Sequence, residues 1–101
     1  MNLNKLETKI IKWGTDKGIL PHPNSISQYR KTLEEVEELA IGIDRMDKDE
    51  IRDAIGDIFV TLVMQAQAWD MDMQECVEAA YNEIKGRKGK IVNGVFVKNE
   101  D

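Results

Sequence analysis

Apolar residues recur along this chain at intervals of three and four, and the recurrences fall into four blocks. Leu3, Leu6, Ile10 and Trp13 mark one face of a first helix that fades near Gly18. The segment Ile19-Leu20-Pro21-His22-Pro23-Asn24 interrupts the pattern, because each proline holds its predecessor extended and cannot continue a helix. Ser25 or Ser27 is placed to cap a second helix, in which Ile26, Tyr29, Leu33, Val36, Ala40 and Ile43 again step by three or four, to about Gly42 or Ile43. A short polar turn over 44–48 follows, and a third helix starts near Asp49. It carries Ile51, Ile55, Ile58, Leu62 and Ala66 on one stripe. Phe59, Val60, Val63 and Met64 make it apolar on other faces too, which predicts a central position.

Asp72, followed three residues later by Glu75, reads as a capping box with Asp in the Ser/Thr role, opening a fourth helix with Met73, Val77, Ala80 and Ile84 on its inner face. Gly86 and Gly89 end it. The run Ile91-Val92-Asn93-Gly94-Val95-Phe96-Val97 then sets Asn-Gly between apolar residues, the signal for a tight hairpin. Two strands that short are marginal alone, so they are expected to pack on the helices or to pair with a neighbouring subunit. Met64, Trp69 and Met73 read as packing residues. No internal repeat, linker or low-complexity tract is present, and the expected architecture is one all-α domain over residues 1–101, a four-helix core with a short C-terminal β-hairpin.

Length and charge narrow the functions. A chain of 101 residues builds one modest core, and surplus apolar helix faces are most readily covered by a second copy, so a homo-oligomer is expected. Nineteen acidic residues against 14 basic ones give a net charge of −5, which argues against sequence-independent grip on nucleic acid. The same charge repels polyphosphates, and a divalent metal is the usual way for an acidic protein to handle them. One cysteine, Cys76, cannot form an internal disulfide. There is no basic-then-apolar leader and no uncharged apolar run of about 18 residues, so the expectation is a cytoplasmic protein with no membrane span.

One residue breaks the apolar pattern of the third helix. Asp57 is the only charged residue between Ala54 and Trp69, and an ionised carboxylate in such a setting calls for a partner or a cation. Upstream, Leu33-Glu34-Glu35-Val36-Glu37-Glu38-Leu39 holds four carboxylates in five positions. Glu35 and Glu38, three apart, share a helix face away from the Leu33, Val36 and Ala40 stripe, with Glu34 at the edge of that cluster. The plain alternative is a solvated surface in which Lys31 and Glu35 form an exposed pair of small energetic value. On the third helix Asp53 and Asp57 are four apart and Glu50 is seven before Asp57, so all three project to one side. If the two helices pack antiparallel, the clusters face each other. Carboxylates converging without histidine or cysteine select magnesium or manganese over zinc, and the lone His22, set between prolines, does not alter that.

Glu35-Val36-Glu37-Glu38-Leu39-Ala40 followed by Ile55-Gly56-Asp57-Ile58 resembles the MazG family of nucleoside triphosphate pyrophosphohydrolases, within the all-α NTP pyrophosphatase superfamily. The segments Trp13 to Gly18, Gln28 to Lys31 and Lys88-Gly89-Lys90 to Val97 also look like small MazG-like proteins, including those of phages. The resemblance implies a helical homodimer or homotetramer that cleaves an NTP or dNTP to the monophosphate and pyrophosphate with Mg2+, Mn2+ being a possible substitute. It carries metal ligands over to Glu35, Glu38 and Asp57. The family pattern has Glu three residues before the final Asp, and that position here is Ala54. Asp53, four residues before Asp57, is the expected substitute and Glu50 the reserve.

In that scheme Glu35 or Glu38 is the base that removes a proton from the attacking water. Lys85, Arg87 and Lys88 are candidates to hold the β and γ phosphates, with Asn82 and Glu83 one turn earlier; the alternative for these cations is an ordinary helix C-terminus, where the dipole favours them anyway. Trp13 is a candidate to stack on the base or, as part of the Leu6 and Ile10 stripe, to sit in the core. Two rival classes stay open: a related enzyme of dUTPase-like or phosphoribosyl-ATP pyrophosphohydrolase type, and a non-catalytic acidic helical interaction module, which Ala54 keeps in play.

Overall fold

The computed structural model describes residues 1–99. Four helices, α1 (Leu3–Asp16), α2 (Ser25–Asp44), α3 (Lys48–Ala68) and α4 (Met73–Ile84), are followed by a hairpin of β1 (Gly89–Val92) and β2 (Val95–Lys98). The all-α reading with a C-terminal hairpin holds. Helix starts follow from side chains that satisfy free amides of the first turn. Asn2 accepts from the Lys5 amide at 2.9 Å, and Asp47 accepts from Asp49 and Glu50. The cap of α2 is Asn24, which accepts from Ser27 N–H at 2.9 Å; Ser25 is already helical. The capping box of α4 forms as expected between Asp72 and Glu75. Asn93 and Gly94 both take positive φ, 52° and 78°, the pair of left-handed residues that a tight hairpin turn needs.

Helix α3 is central: α2 packs along it most extensively, and α1 and α4 also rest on it. The core is small. Leu20, Val63 and Met64 are its buried centre, with Ile10, Ile11, Ile19, Phe59 and Met73 packed around them. Close approach of α1 depends on Gly14, where a Cβ would come within 2.6 Å of Met64 Cε.

The structure corrects which faces point inward. The α2 residues Ile26, Tyr29, Leu33, Val36, Ala40 and Ile43 are all exposed, Leu33 at 47% and Val36 at 45%. Helix α2 meets α3 instead through Gln28, Thr32, Glu35, Leu39 and Gly42, which also step by three and four. This polar seam is viable because its hydroxyls are paired: Thr32 Oγ1 donates to Thr61 Oγ1 at 2.8 Å, and Thr61 donates to the Ile58 carbonyl. On α1 the inner side is Glu7, Ile10, Ile11 and Gly14 rather than Leu3, Leu6 and Trp13. Trp13 is therefore not core. Trp69 is 64% exposed, with its indole N–H donating to Ser25 Oγ at 3.1 Å, whereas Met64 and Met73 pack as expected.

Val77, Ala80 and Ile84 of α4 are exposed too, and every residue of the two strands is exposed. The hairpin thus stands off the helices instead of packing on them. Among the described residues no helix is long and apolar enough to cross a membrane.

Candidate functional site

The antiparallel course of α2 and α3 fixes what their acids do. Gly42 abuts Glu50 and Ile51 at one end; an added Cβ would lie 3.2 Å from Glu50 Cβ and from the Ile51 amide nitrogen. Thr32 meets Thr61 farther along, and Ser25 reaches Gln65, whose amide donates back to the Ser25 carbonyl at 3.0 Å. Between the first two contacts lies an open pocket of about 330 Å³ lined by Glu35, Glu38, Glu50, Asp53, Ala54 and Asp57. Five of its six lining residues are carboxylates. The two acid clusters face each other, as antiparallel packing requires.

The five are not equivalent. Glu35 is the most withdrawn on α2, its side chain 14% exposed, whereas Glu38, Asp53 and Asp57 are exposed at the pocket rim. Asp57 thus escapes the buried setting that its apolar neighbours suggested: in a single chain it faces solvent and the other acids. Glu50 accepts from Arg45 Nη1 at 3.0 Å through Oε1, while its Oε2 is buried without a hydrogen-bond partner. A buried carboxylate oxygen left unpaired is costly. Lys31 reaches Glu34 at 3.1 Å and Glu35 at 3.5 Å. The hydrogen bond with Glu34 and its charge hold the Lys31 ammonium above its ordinary pKa, opposed slightly by desolvation, with Glu35 adding to the rise.

Does this arrangement fit a hard divalent cation? The donor set is all oxygen, and one of the lining residues, Glu50, keeps a carboxylate oxygen without a hydrogen-bond partner, so the residues fit by donor chemistry. No three histidine, cysteine or acidic side chains among the described residues form a ready-made cage. Short rotations of the rim carboxylates would be needed to close on an ion, as expected of like charges that repel one another until a cation joins them.

The other residues singled out in the sequence lie elsewhere. Glu34 is 68% exposed, paired with Lys31, and does not line the pocket. Asn82, Glu83, Lys85, Arg87, Lys88 and Trp13 are all exposed and none lines it. A larger hollow of about 410 Å³ lies between α1, α3 and α4, lined by Leu3, Phe59, Met73, Val77 and Tyr81 among others. Of its two acids, Glu7 already accepts from the Met73 amide at 2.7 Å and Glu78 accepts from Gln74, so it gathers no free chemistry. Periodicity missed Glu7 because an acid on an inner face carries no signal in a hydrophobic pattern.

Helices packed around α3, with a carboxylate pocket between α2 and α3, define an all-α protein with an oxygen-donor site. The chain belongs to the MazG nucleotide pyrophosphohydrolase domain family, whose domain matches residues 24–92, the stretch from the cap of α2 to the end of β1. It is 32% identical over 71 residues to an uncharacterised 18.2 kDa protein from the rep–hol intergenic region of Haemophilus phage HP1. That match covers 70% of this chain and 44% of the phage protein, so the chain spans less than half the length of the relative it matches. No solved structure matches.

Proposed function

We propose that the chain is a metal-dependent nucleoside triphosphate pyrophosphohydrolase, which cleaves the α,β-phosphoanhydride of an NTP or dNTP and releases the monophosphate and pyrophosphate. One observation carries the reading: in a MazG-family chain, Glu35 and Glu38 of α2 and Glu50, Asp53 and Asp57 of α3 share one pocket. Mg2+, with Mn2+ as its substitute, would be held by Glu35, Glu38 and Asp57 with a further acid from α3. Bound there it would neutralise phosphate oxygens and lower the pKa of a water. The chain's own part is proton transfer: Glu35 or Glu38 takes the proton of the water that attacks the α-phosphorus, as the bond to the bridging oxygen breaks and pyrophosphate leaves. Lys85, Arg87 and Lys88, with Asn82 and Glu83, are proposed to meet the phosphates and Trp13 the base, all of them from outside the acid pocket.

The working form is proposed to be a homodimer or homotetramer. Support comes from the outward stripe of α2, whose Ile26, Tyr29, Leu33, Val36, Ala40 and Ile43 alternate at three and four residues, the spacing of a helix–helix seam. The test is pyrophosphate release from a panel of NTPs and dNTPs with and without Mg2+, using Asp57→Asn as control. Magnesium-dependent release that is lost in the variant while folding is retained supports the reading, and the panel separates it from a dUTPase-like or phosphoribosyl-ATP enzyme. No release from any nucleotide would leave the acidic interaction module.

A further inference from the structure

Glu50 stands out among the pocket acids, and what it does there bears on how the site is completed. The family's usual glutamate before Asp57 falls on Ala54, which is buried and offers no oxygen. Glu50 lies four residues before Ala54, one turn earlier on the same face of α3, whereas Asp53 is set about 100° round the helix from Ala54. We infer that Glu50, ahead of Asp53, supplies the carboxylate that Ala54 lacks, an inference that rests on the pyrophosphohydrolase reading of this pocket.

Two contacts prepare it. Gly42 lets α2 approach so closely that a Cβ would sit 3.2 Å from Glu50 Cβ, although the Glu50 side chain as a whole stays 40% exposed. Arg45, the C-cap of α2, holds Glu50 Oε1 at 3.0 Å. A guanidinium can take both oxygens of a carboxylate side by side, yet here it takes one, and Oε2 is left buried without a donor. Among the described residues that oxygen has no donor, so a cation drawn into the pocket beside it would supply the missing positive partner.

The competing role is structural. Glu50 sits in the first turn of α3, where a carboxylate favours the helix N-terminus, and its pair with Arg45 ties that turn to the end of α2. The two roles move different quantities. A structural acid, once neutralised, lowers stability without metal and leaves metal affinity alone. A ligand does the reverse, because removing one of five neighbouring carboxylate charges relieves repulsion in the metal-free state.

The experiment is a Mn2+ titration of the full chain, followed by the electron paramagnetic resonance of the free ion, with thermal melting in the absence and presence of the ion. Wild type is compared with Glu50→Gln, Asp53→Asn and Asp57→Asn. Glu50→Gln is expected to weaken Mn2+ binding by about tenfold or more, at least the loss seen on removing groups that merely orient a metal's ligands. Its metal-free melting temperature should be no lower than wild type, and the rise on adding Mn2+ should vanish, while Asp53→Asn stays close to wild type. Wild-type affinity in Glu50→Gln overturns the inference. So does crippled binding in Asp53→Asn alone, which leaves the enzyme reading standing with Asp53 as the substitute. If wild type itself binds no Mn2+, the reading of the pocket falls together with the inference.

Discussion

Glu7 is one of two polar side chains buried among the described residues, and it links α1 directly to α4. Its Oε2 accepts from the Met73 amide at 2.7 Å, at the first residue of α4. The rest of that first turn is served locally, with Asp72 accepting from Glu75 N–H and Glu75 accepting from Asp72 N–H. Glu7 therefore supplies what the capping box leaves open, and does so with a negative charge at the positive end of a helix. Glu7→Gln keeps the shape and removes the charge. A charged hydrogen bond contributes about 1.5–3 kcal/mol against about 0.5–1.5 for a neutral one, and a charge at a helix N-terminus adds roughly 0.3–1. The expected loss is therefore about 1–2 kcal/mol, and in a domain of this size each kcal/mol lowers the melting temperature by roughly 4–8 °C. Glu7→Ala also strands the Met73 amide, so its loss should be larger, about 2–3 kcal/mol.

Urea unfolding followed by circular dichroism measures this, at fixed protein concentration because self-association would otherwise enter the result. Hydrogen exchange locates it: amides in the first turn of α4 should lose protection before those of α2 and α3. If Glu7→Gln lies within about 0.5 kcal/mol of wild type, the range of an ordinary surface substitution, the coupling of α1 to α4 through Glu7 is refuted.

Other expectations follow from single contacts. Thr61→Val should destabilise by about 1 kcal/mol, and adding Thr32→Val should cost less than the sum of the two single changes, since removing both partners leaves no hydroxyl stranded; a double-mutant cycle in urea reads the coupling. Leu33→Glu, on the exposed stripe of α2, should shift sedimentation from an oligomer to a monomer while the helical circular dichroism persists; an unchanged sedimentation coefficient would remove α2 as the seam. Gly94→Ala forces a side chain into φ 78° and should cost the hairpin roughly 1 kcal/mol. Because the hairpin stands off the helices, its amides should exchange faster while the urea midpoint of the helices stays put.

Much of the local structure was legible in the residues. The Asp72/Glu75 capping box, the Asn93-Gly94 turn, the four helical blocks and the facing acids of α2 and α3 all appear where their chemistry predicts. These features depend on neighbours a few residues away, on fixed turn geometry, or on a short connection that forces two helices antiparallel. Size and apolarity favour burial, which makes Trp69 an expected packing residue and the core one of two expectations for Trp13, yet both are substantially exposed in the single chain.

The sequence by itself determined that α2 has two stripes at helical spacing, one apolar through Leu33 and Val36 and one mixed through Thr32, Glu35 and Gly42. It did not determine which of them meets α3. Periodicity records that a face will be covered, and the identity of the covering partner is a property of surfaces brought together from distant parts of the chain. Only the tertiary structure decided it, through the close approach at Gly42 and the hydroxyl pair of Thr32 and Thr61, which satisfy a polar seam that spacing alone would have turned outward. The same contact carries Glu35 and Glu38 opposite Asp53 and Asp57 and buries one oxygen of Glu50, so the choice of face that shaped the fold also assembled the pocket.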